Sequence, residues 1–144
     1  MFKGTSNTGS FFILEITKPD NYMINSNTLQ YLKDLKRNNN KGWFEEHRHL
    51  YETARNNFAS FVEAMIANIG GFDAAIAPLQ VKECVFRINR DVRFSKNKTP
   101  YKVNMAAAFS AGGKKASVAG YYFIWSQAGV LPEGDFIHLN PNSW

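Results

Sequence analysis

Cysteine is almost absent from this sequence. Cys84 stands alone, so no internal disulfide can form and stability has to come from buried apolar surface. It lies in a stretch that reads as a buried strand, with nothing nearby to acidify it, and so reads as an inert core thiol. Long apolar runs are missing as well. A helix that crosses a bilayer needs roughly 18 to 20 such residues in succession, and the patch at residues 11–14, soon followed by Glu15 and Asp20, is too short even for a secretory signal. The expectation is a cytoplasmic protein with no membrane contact.

The usual catalytic and cofactor fingerprints are also missing. There is no Gly-x-Ser-x-Gly elbow, no Walker loop, no dinucleotide fingerprint and no cysteine pair, so no cofactor is expected. Ser95 has no histidine base near it in sequence, which leaves covalent catalysis without support. Histidines number three. His47 and His49 are two apart on a predicted helix, so their side chains diverge by roughly 200° and cannot readily share a metal. Glu46 and His49 share a face, but no second ligand cluster accompanies them and no metal is expected; His138 lies in the tail.

Acidic residues are in deficit, 12 against 17 basic, for a net charge of +5. The excess is concentrated. Residues 87–102 hold Arg87, Arg90, Arg93, Lys96, Lys98 and Lys102 against Asp91 alone, six minus one, which equals the excess of the whole chain.

What the chain does have is apolar material for one core: 144 residues, 44% hydrophobic and 15% aromatic. Residues 1–22 read as an irregular leader, rich in Asn, Ser, Thr and Gly, with Met23 as a candidate natural start. Ser26 or Asn27 can then cap a helix that places Leu29, Leu32 and Leu35 on one face and ends at the run Asn38, Asn39, Asn40, residues that tolerate left-handed backbone. A second, long helix follows, capped by Asn40, with Glu45 and Glu46 near its positive end. Its apolar positions run from Trp43 through Phe58 and Val62 to Ile69 at helical spacing, until Gly70 and Gly71 stop it.

Beyond Pro78 the period changes to two. Cys84, Phe86 and Ile88 alternate with Val85, Arg87 and Asn89, the pattern of a strand with one apolar face. A loop leads to a second strand at residues 101–110, and Gly112 and Gly113 turn the chain into a third at 119–125. The fold class expected is α+β: two N-terminal helices, the second one long, packed on an antiparallel meander of at least three strands. One domain covers residues 23–125. The tail, residues 126–144, carries only a weak strand signal at 136–139.

The basic residues of 87–102 recur every two or three positions across a strand end and a loop, a spacing that lets several converge on one anion. Arginine offers a planar fork that matches phosphate or carboxylate, and lysine adds a mobile point charge. Pro100 holds Thr99 extended and stiffens the loop exit. Asp91 reads as a structural partner that orients the arginines, since a carboxylate among cations is a weak base. Phe94 and Tyr101 are interleaved with the charges.

Two blocks carry a resemblance. Asn38 through Phe44, including Trp43 and with Tyr51 downstream, is the first; Phe86 and Arg87, then Arg90 through Lys102, is the second. Together, with Gly120, Tyr121 and Tyr122 following, they resemble the signature blocks of the uncharacterised family known as domain of unknown function 2461, over roughly residues 23–123. The resemblance implies a cytoplasmic α+β domain, found mainly in bacteria and also in fungi, and brings no activity, substrate or cofactor with it. Family members continue past the position of Tyr122 with a glycine-rich turn, a strand and a helix. Here the chain departs from that pattern after about Trp125, as a frameshift, a gene fragment or a divergent end would produce.

Three functional readings follow. The first is a site for a small phosphorylated or carboxylated ligand, of an enzyme or of a relic of one, built from Arg87, Arg90, Arg93, Lys96, Lys98 and Lys102 and supported by Asp91, Tyr101, Phe94 and Trp43. The second is a nucleic-acid or polyanion module in which Phe94 and Tyr101 stack on bases. The third is an internal charge network with no ligand.

Overall fold

A computed structural model describes residues 23–126. The leader and the residues after Ser126, with the expected strand at 136–139 and His138, lie outside the described residues.

Helix α1 (Ser26–Arg37) begins at Asn25, whose Oδ1 accepts the Thr28 backbone N–H at 3.0 Å and so satisfies one donor that a helix start leaves open. Ser26 and Asn27 were the expected caps. Asn25 takes the role because Asn57 holds it in place: Asn57 Oδ1 accepts the Asn25 N–H at 2.9 Å, and its amide donates to the Met23 carbonyl at 2.9 Å. The buried face is Thr28, Tyr31, Leu32 and Leu35, with Leu29 only half-buried. Asn38 ends the helix at φ −129°, outside the left-handed region that the asparagine run suggested.

The long second helix is in fact two. Helix α2 (Lys41–Glu46) is capped as expected by Asn40, whose Oδ1 accepts the Trp43 N–H at 2.9 Å. Helix α3 (Arg48–Gly70) follows after a break at His47, which sits at φ −109° and ψ 21°. The His47 ring stacks on Trp43, centroids 4.2 Å apart, and its Nδ1–H donates to the Trp43 carbonyl at 2.8 Å. That side chain competes for a backbone acceptor and turns the helix there. As a result Glu45 and Glu46 end α2 instead of opening a long helix, and Glu45 pairs with Arg48 at 2.7 Å.

Helix α3 buries Ala54, Phe58, Val62, Ile66 and Ile69 against α1 and the sheet. It stops at Gly70, where a Cβ would meet the Cα of Ala77 at 2.8 Å, so only glycine lets the connector fold back and bury Ile76.

The first expected strand is replaced. Glu83 accepts the Gln80 backbone N–H at 2.7 Å and locks a one-turn helix, α4 (Val81–Cys84), so Cys84 ends a helix and is fully buried at 0% exposure. Burial pushes its thiol up to about 11, with Glu83 adding to the shift, so it stays protonated at neutral pH.

Strands β1 (Asn104–Ser110) and β2 (Gly120–Ser126) pair antiparallel, with Ala107 opposite Phe123, joined through Gly112 and Gly113 at φ 89° and 90°. Instead of the expected three-stranded meander, the sheet has two strands and a flank. Residues 85–89 run antiparallel to the approach of β1 through two isolated bridges, Val85↔Ala107 and Asn89↔Tyr101. Four steps on one side (89 − 85) face six on the other (107 − 101), so two extra residues bulge out and interrupt the ladder. Backbone bonds from Phe86 to the Ala106 carbonyl (2.9 Å), and from Lys102 to the Ile88 carbonyl (2.8 Å), hold the flank beside β1.

One core joins these elements: Leu32 and Leu35 of α1, Phe58 and Val62 of α3, Ile76, Cys84 and Phe109 of β1. The fold is α+β, four helices and a two-stranded antiparallel sheet.

Candidate anion-binding groove

An open groove of about 2130 Å³ lies between α3, the 85–91 flank, β1 and the β1–β2 turn. Tyr51 and Arg55 line it from α3, Arg87 and Arg90 from the flank, Lys102 from the approach to β1, Tyr122 from β2, and Lys114 and Lys115 from the turn. Asp91 is the acid on its wall among the described residues.

Of the six cations expected to converge, three reach this groove. Lys102 is half-buried, its Nζ 5.6 Å from the centre of the Phe86 ring. Burial, and then the neighbouring Arg87 guanidinium, lower its affinity for a proton. Among the described residues, neither the Arg87 nor the Lys102 side chain has an ion-pair or hydrogen-bond partner. Two like charges therefore face one concavity, and the nearby acid, Asp91, is hydrogen-bonded to Arg93.

Arg90 lines the groove but is spent on its own loop. One terminal nitrogen donates to the Thr99 carbonyl at 3.0 Å and to Thr99 Oγ1 at 2.6 Å, the other to Ser95 Oγ at 3.4 Å. Thr99 in turn donates to Asn97 Oδ1 at 2.9 Å. This clamp closes the 91–99 loop.

Arg93, Lys96 and Lys98 lie outside the groove lining. Arg93 pairs bidentately with Asp91, at 2.9 and 2.6 Å. Lys98 donates to the Val92 carbonyl at 2.8 Å, and Lys96 is exposed. The hydrogen bonds from Arg93 hold the Asp91 carboxyl down at about 2. A carboxyl depressed in the fold supports the loop above the unfolded value of about 4 and loses that support as pH falls toward about 2. An NMR titration of the Asp91 carboxyl should show a midpoint near 2, moving up to the ordinary carboxylate range in Arg93→Ala. An unchanged midpoint would show the pair is not formed in solution.

The supporting residues divide as well. Tyr101 is 5% exposed and stacked on Phe44 at 4.1 Å, so it cannot stack on a base; Phe94 is 95% exposed with the Arg93 guanidinium 5.8 Å from its ring centre. Trp43 stacks between Tyr31 and His47 and does not line the groove.

Sequence reasoning missed Asn39. Its amide donates to the Tyr101 carbonyl at 2.9 Å and its Oδ1 accepts the Tyr101 N–H at 3.1 Å, so one side chain imitates a strand partner across 62 residues. Those bonds tie the asparagine-rich block to the basic block, one residue from Lys102. Arg55, Lys114 and Lys115 were missed because they come from elements far apart in sequence. Lys114 is committed, donating to the Lys82 and Val85 carbonyls at 2.6 Å each.

Among the described residues no helix is long and apolar enough to cross a membrane, and no group of three or more His, Cys, Asp or Glu could hold a metal. The architecture is that of an α+β domain in which an asparagine-rich helix junction braces a basic bulge beside an open groove. The chain belongs to the family described as "Conserved hypothetical protein (DUF2461)", which it matches over residues 27–143. That match takes in both blocks and runs past Trp125 through most of the tail that departed from the expected pattern. Comparison with curated proteins and with solved structures returned no match.

Proposed function

We propose that the protein binds a small phosphorylated or carboxylated ligand in the groove, with Arg87 and Lys102 as its main contacts. The observation that carries this reading is the pair itself. A half-buried ammonium and a guanidinium share a concavity in which neither is ion-paired or hydrogen-bonded among the described residues, Asp91 on the same wall being taken by Arg93, while Arg90, Arg93 and Lys98 are each satisfied inside the loop. Uncompensated like charges are costly unless something brings the opposite charge. An anion does so, and hydrogen bonds to charged partners are the strong ones.

Inorganic phosphate is the simplest probe. With a dissociation constant near 1 mM, 10 mM phosphate stabilises the fold by about 1.4 kcal/mol, a rise in Tm on the order of 5 °C. Sulfate and chloride at matched ionic strength control for general salt effects, and Arg87→Ala should abolish the excess shift due to phosphate. A phosphate shift that persists in Arg87→Ala would remove the groove as its source.

A second reading has one observation in its favour. Phe94, 95% exposed on a rigid loop beside Lys96, is shaped to stack on a base. It calls for oligonucleotide affinity that falls steeply with salt and is lost in Phe94→Ala. Groove binding is indifferent to that substitution.

A further inference from the structure

We propose that Lys102 is a carbonyl-reactive amine, and that the anion taken by the groove is a small aldehyde or ketone bearing a phosphate or carboxylate. Arg87 holds the charged group while the Lys102 nitrogen condenses with the carbonyl carbon. This rests on the anion-binding reading above and gives its ligand a chemical class.

A lysine that forms an imine needs an unprotonated nitrogen, a lone pair not already engaged, and an open approach for the electrophile. The described lysines of this region divide on those three counts. Lys96 is exposed and lies outside the groove lining. Lys98 is exposed and donates to a backbone carbonyl. Lys114 is half-buried and holds its proton less tightly than usual, but its ammonium is fixed between two carbonyl oxygens, which require it as a donor. Lys102 comes nearest on all three counts, its hold on the proton being weakened by burial and then by Arg87. It is half-buried and lines the groove, and its Nζ sits over the apolar face of Phe86 with no hydrogen-bond acceptor among the described residues.

The surroundings favour the neutral amine. Arg87 and Arg90 from the flank, Arg55 from α3 and Lys114 from the turn line the same groove, against the single carboxylate of Asp91, which Arg93 already occupies. Desolvation and the Arg87 charge both weaken the hold of Lys102 on its proton. Lys102 stays in register with Ile88, whose carbonyl accepts its backbone N–H at 2.8 Å, next to the point where two extra residues interrupt the ladder, and its side chain lines the groove.

The step is balanced without any other reagent. The amine nitrogen attacks the carbonyl carbon, a C–N bond forms, and the carbonyl electron pair moves to oxygen, which takes up a proton. Loss of that oxygen with the two hydrogens of the amine releases one water and leaves the imine. Nothing is oxidised or reduced.

Reductive trapping tests it on the full chain. Glyoxylate, an anionic aldehyde, and acetaldehyde, a neutral one, are each incubated with the protein and sodium cyanoborohydride at pH 7.5, and each lysine is followed by peptide mass mapping. Lys102 should be modified faster than exposed Lys96, the ratio of the two rates exceeding one. That ratio should be larger with glyoxylate than with acetaldehyde, and should fall with Arg87→Ala or added inorganic phosphate. In Lys102→Arg the fast site should disappear, and its melt without phosphate reports that the variant is folded.

If Lys102 reacts no faster than Lys96 while phosphate still stabilises the protein, the reactive amine is refuted and the anion site stands. If the phosphate shift is missing as well, both fall. Equal enhancement with the two aldehydes, insensitive to phosphate, would overturn the anionic carbonyl class.

Discussion

Replacing Asn39 by alanine is expected to lower the unfolding free energy by about 2–4 kcal/mol, the cost of leaving two backbone groups without their partners, and to bring Tm down on the order of 10–20 °C. The Asn39 side chain satisfies both the N–H and the carbonyl of Tyr101, which lies at the point where Pro100 denies the ladder a donor. Tyr101 is buried and stacked on Phe44, so its backbone has poor access to replacement water. Asn39→Asp keeps the acceptor and loses the donor, and should cost roughly half as much. Because the next residue is Lys102, Asn39→Ala should also weaken phosphate binding below the unfolding transition. A variant that melts within about 2 °C of the parent would mean the two blocks are held together by something else.

That prediction could not have been reached from the sequence, and the reason is instructive. Asn38, Asn39 and Asn40 read there as a helix end and a helix cap. Asn40 is that cap, because capping is local: the residue and the backbone it satisfies are three positions apart. Asn39 acts across 62 residues, and no periodicity registers such a pairing. The buried stripe of α3 was legible for the complementary reason, since 3.6-residue spacing records which face is covered.

The break at His47 was hidden in the same helix. It depends on an imidazole bonding the carbonyl four residues back, which competes with a backbone pattern that otherwise reads as continuous. At residues 84–89 the alternation matched burial at four positions, Cys84 and Ile88 being buried and Arg87 and Asn89 exposed, while Val85 and Phe86 are both half-buried. It was wrong about pairing, because strand pairing depends on register with a distant partner, and here that register slips by two residues. The basic segment was legible as a density of charge. Which cations stay free was not, since Arg90, Arg93 and Lys98 are neutralised or satisfied by loop geometry.

The division between free and satisfied cations gives the sharpest expectation for binding. Arg87→Glu should weaken phosphate affinity by about 100-fold, which corresponds to roughly 2.7 kcal/mol. Part of that is a lost charge-assisted hydrogen bond, worth about 1.5–3 kcal/mol. The rest is repulsion between the new carboxylate and the ligand in a partly screened site. Lys96→Glu makes the same change of net charge nine residues away in the same segment, on an exposed side chain outside the groove lining. Its effect should stay below about threefold at physiological salt, where the Debye length is about 8 Å. Lys96→Glu should not move Tm in the absence of phosphate by more than a degree or two, because Lys96 is exposed and has no ion-pair partner among the described residues to lose. Isothermal titration with phosphate measures both. Equal losses in the two variants would mean that the chain attracts anions through its overall field, and that Arg87 and Lys102 do not form a site.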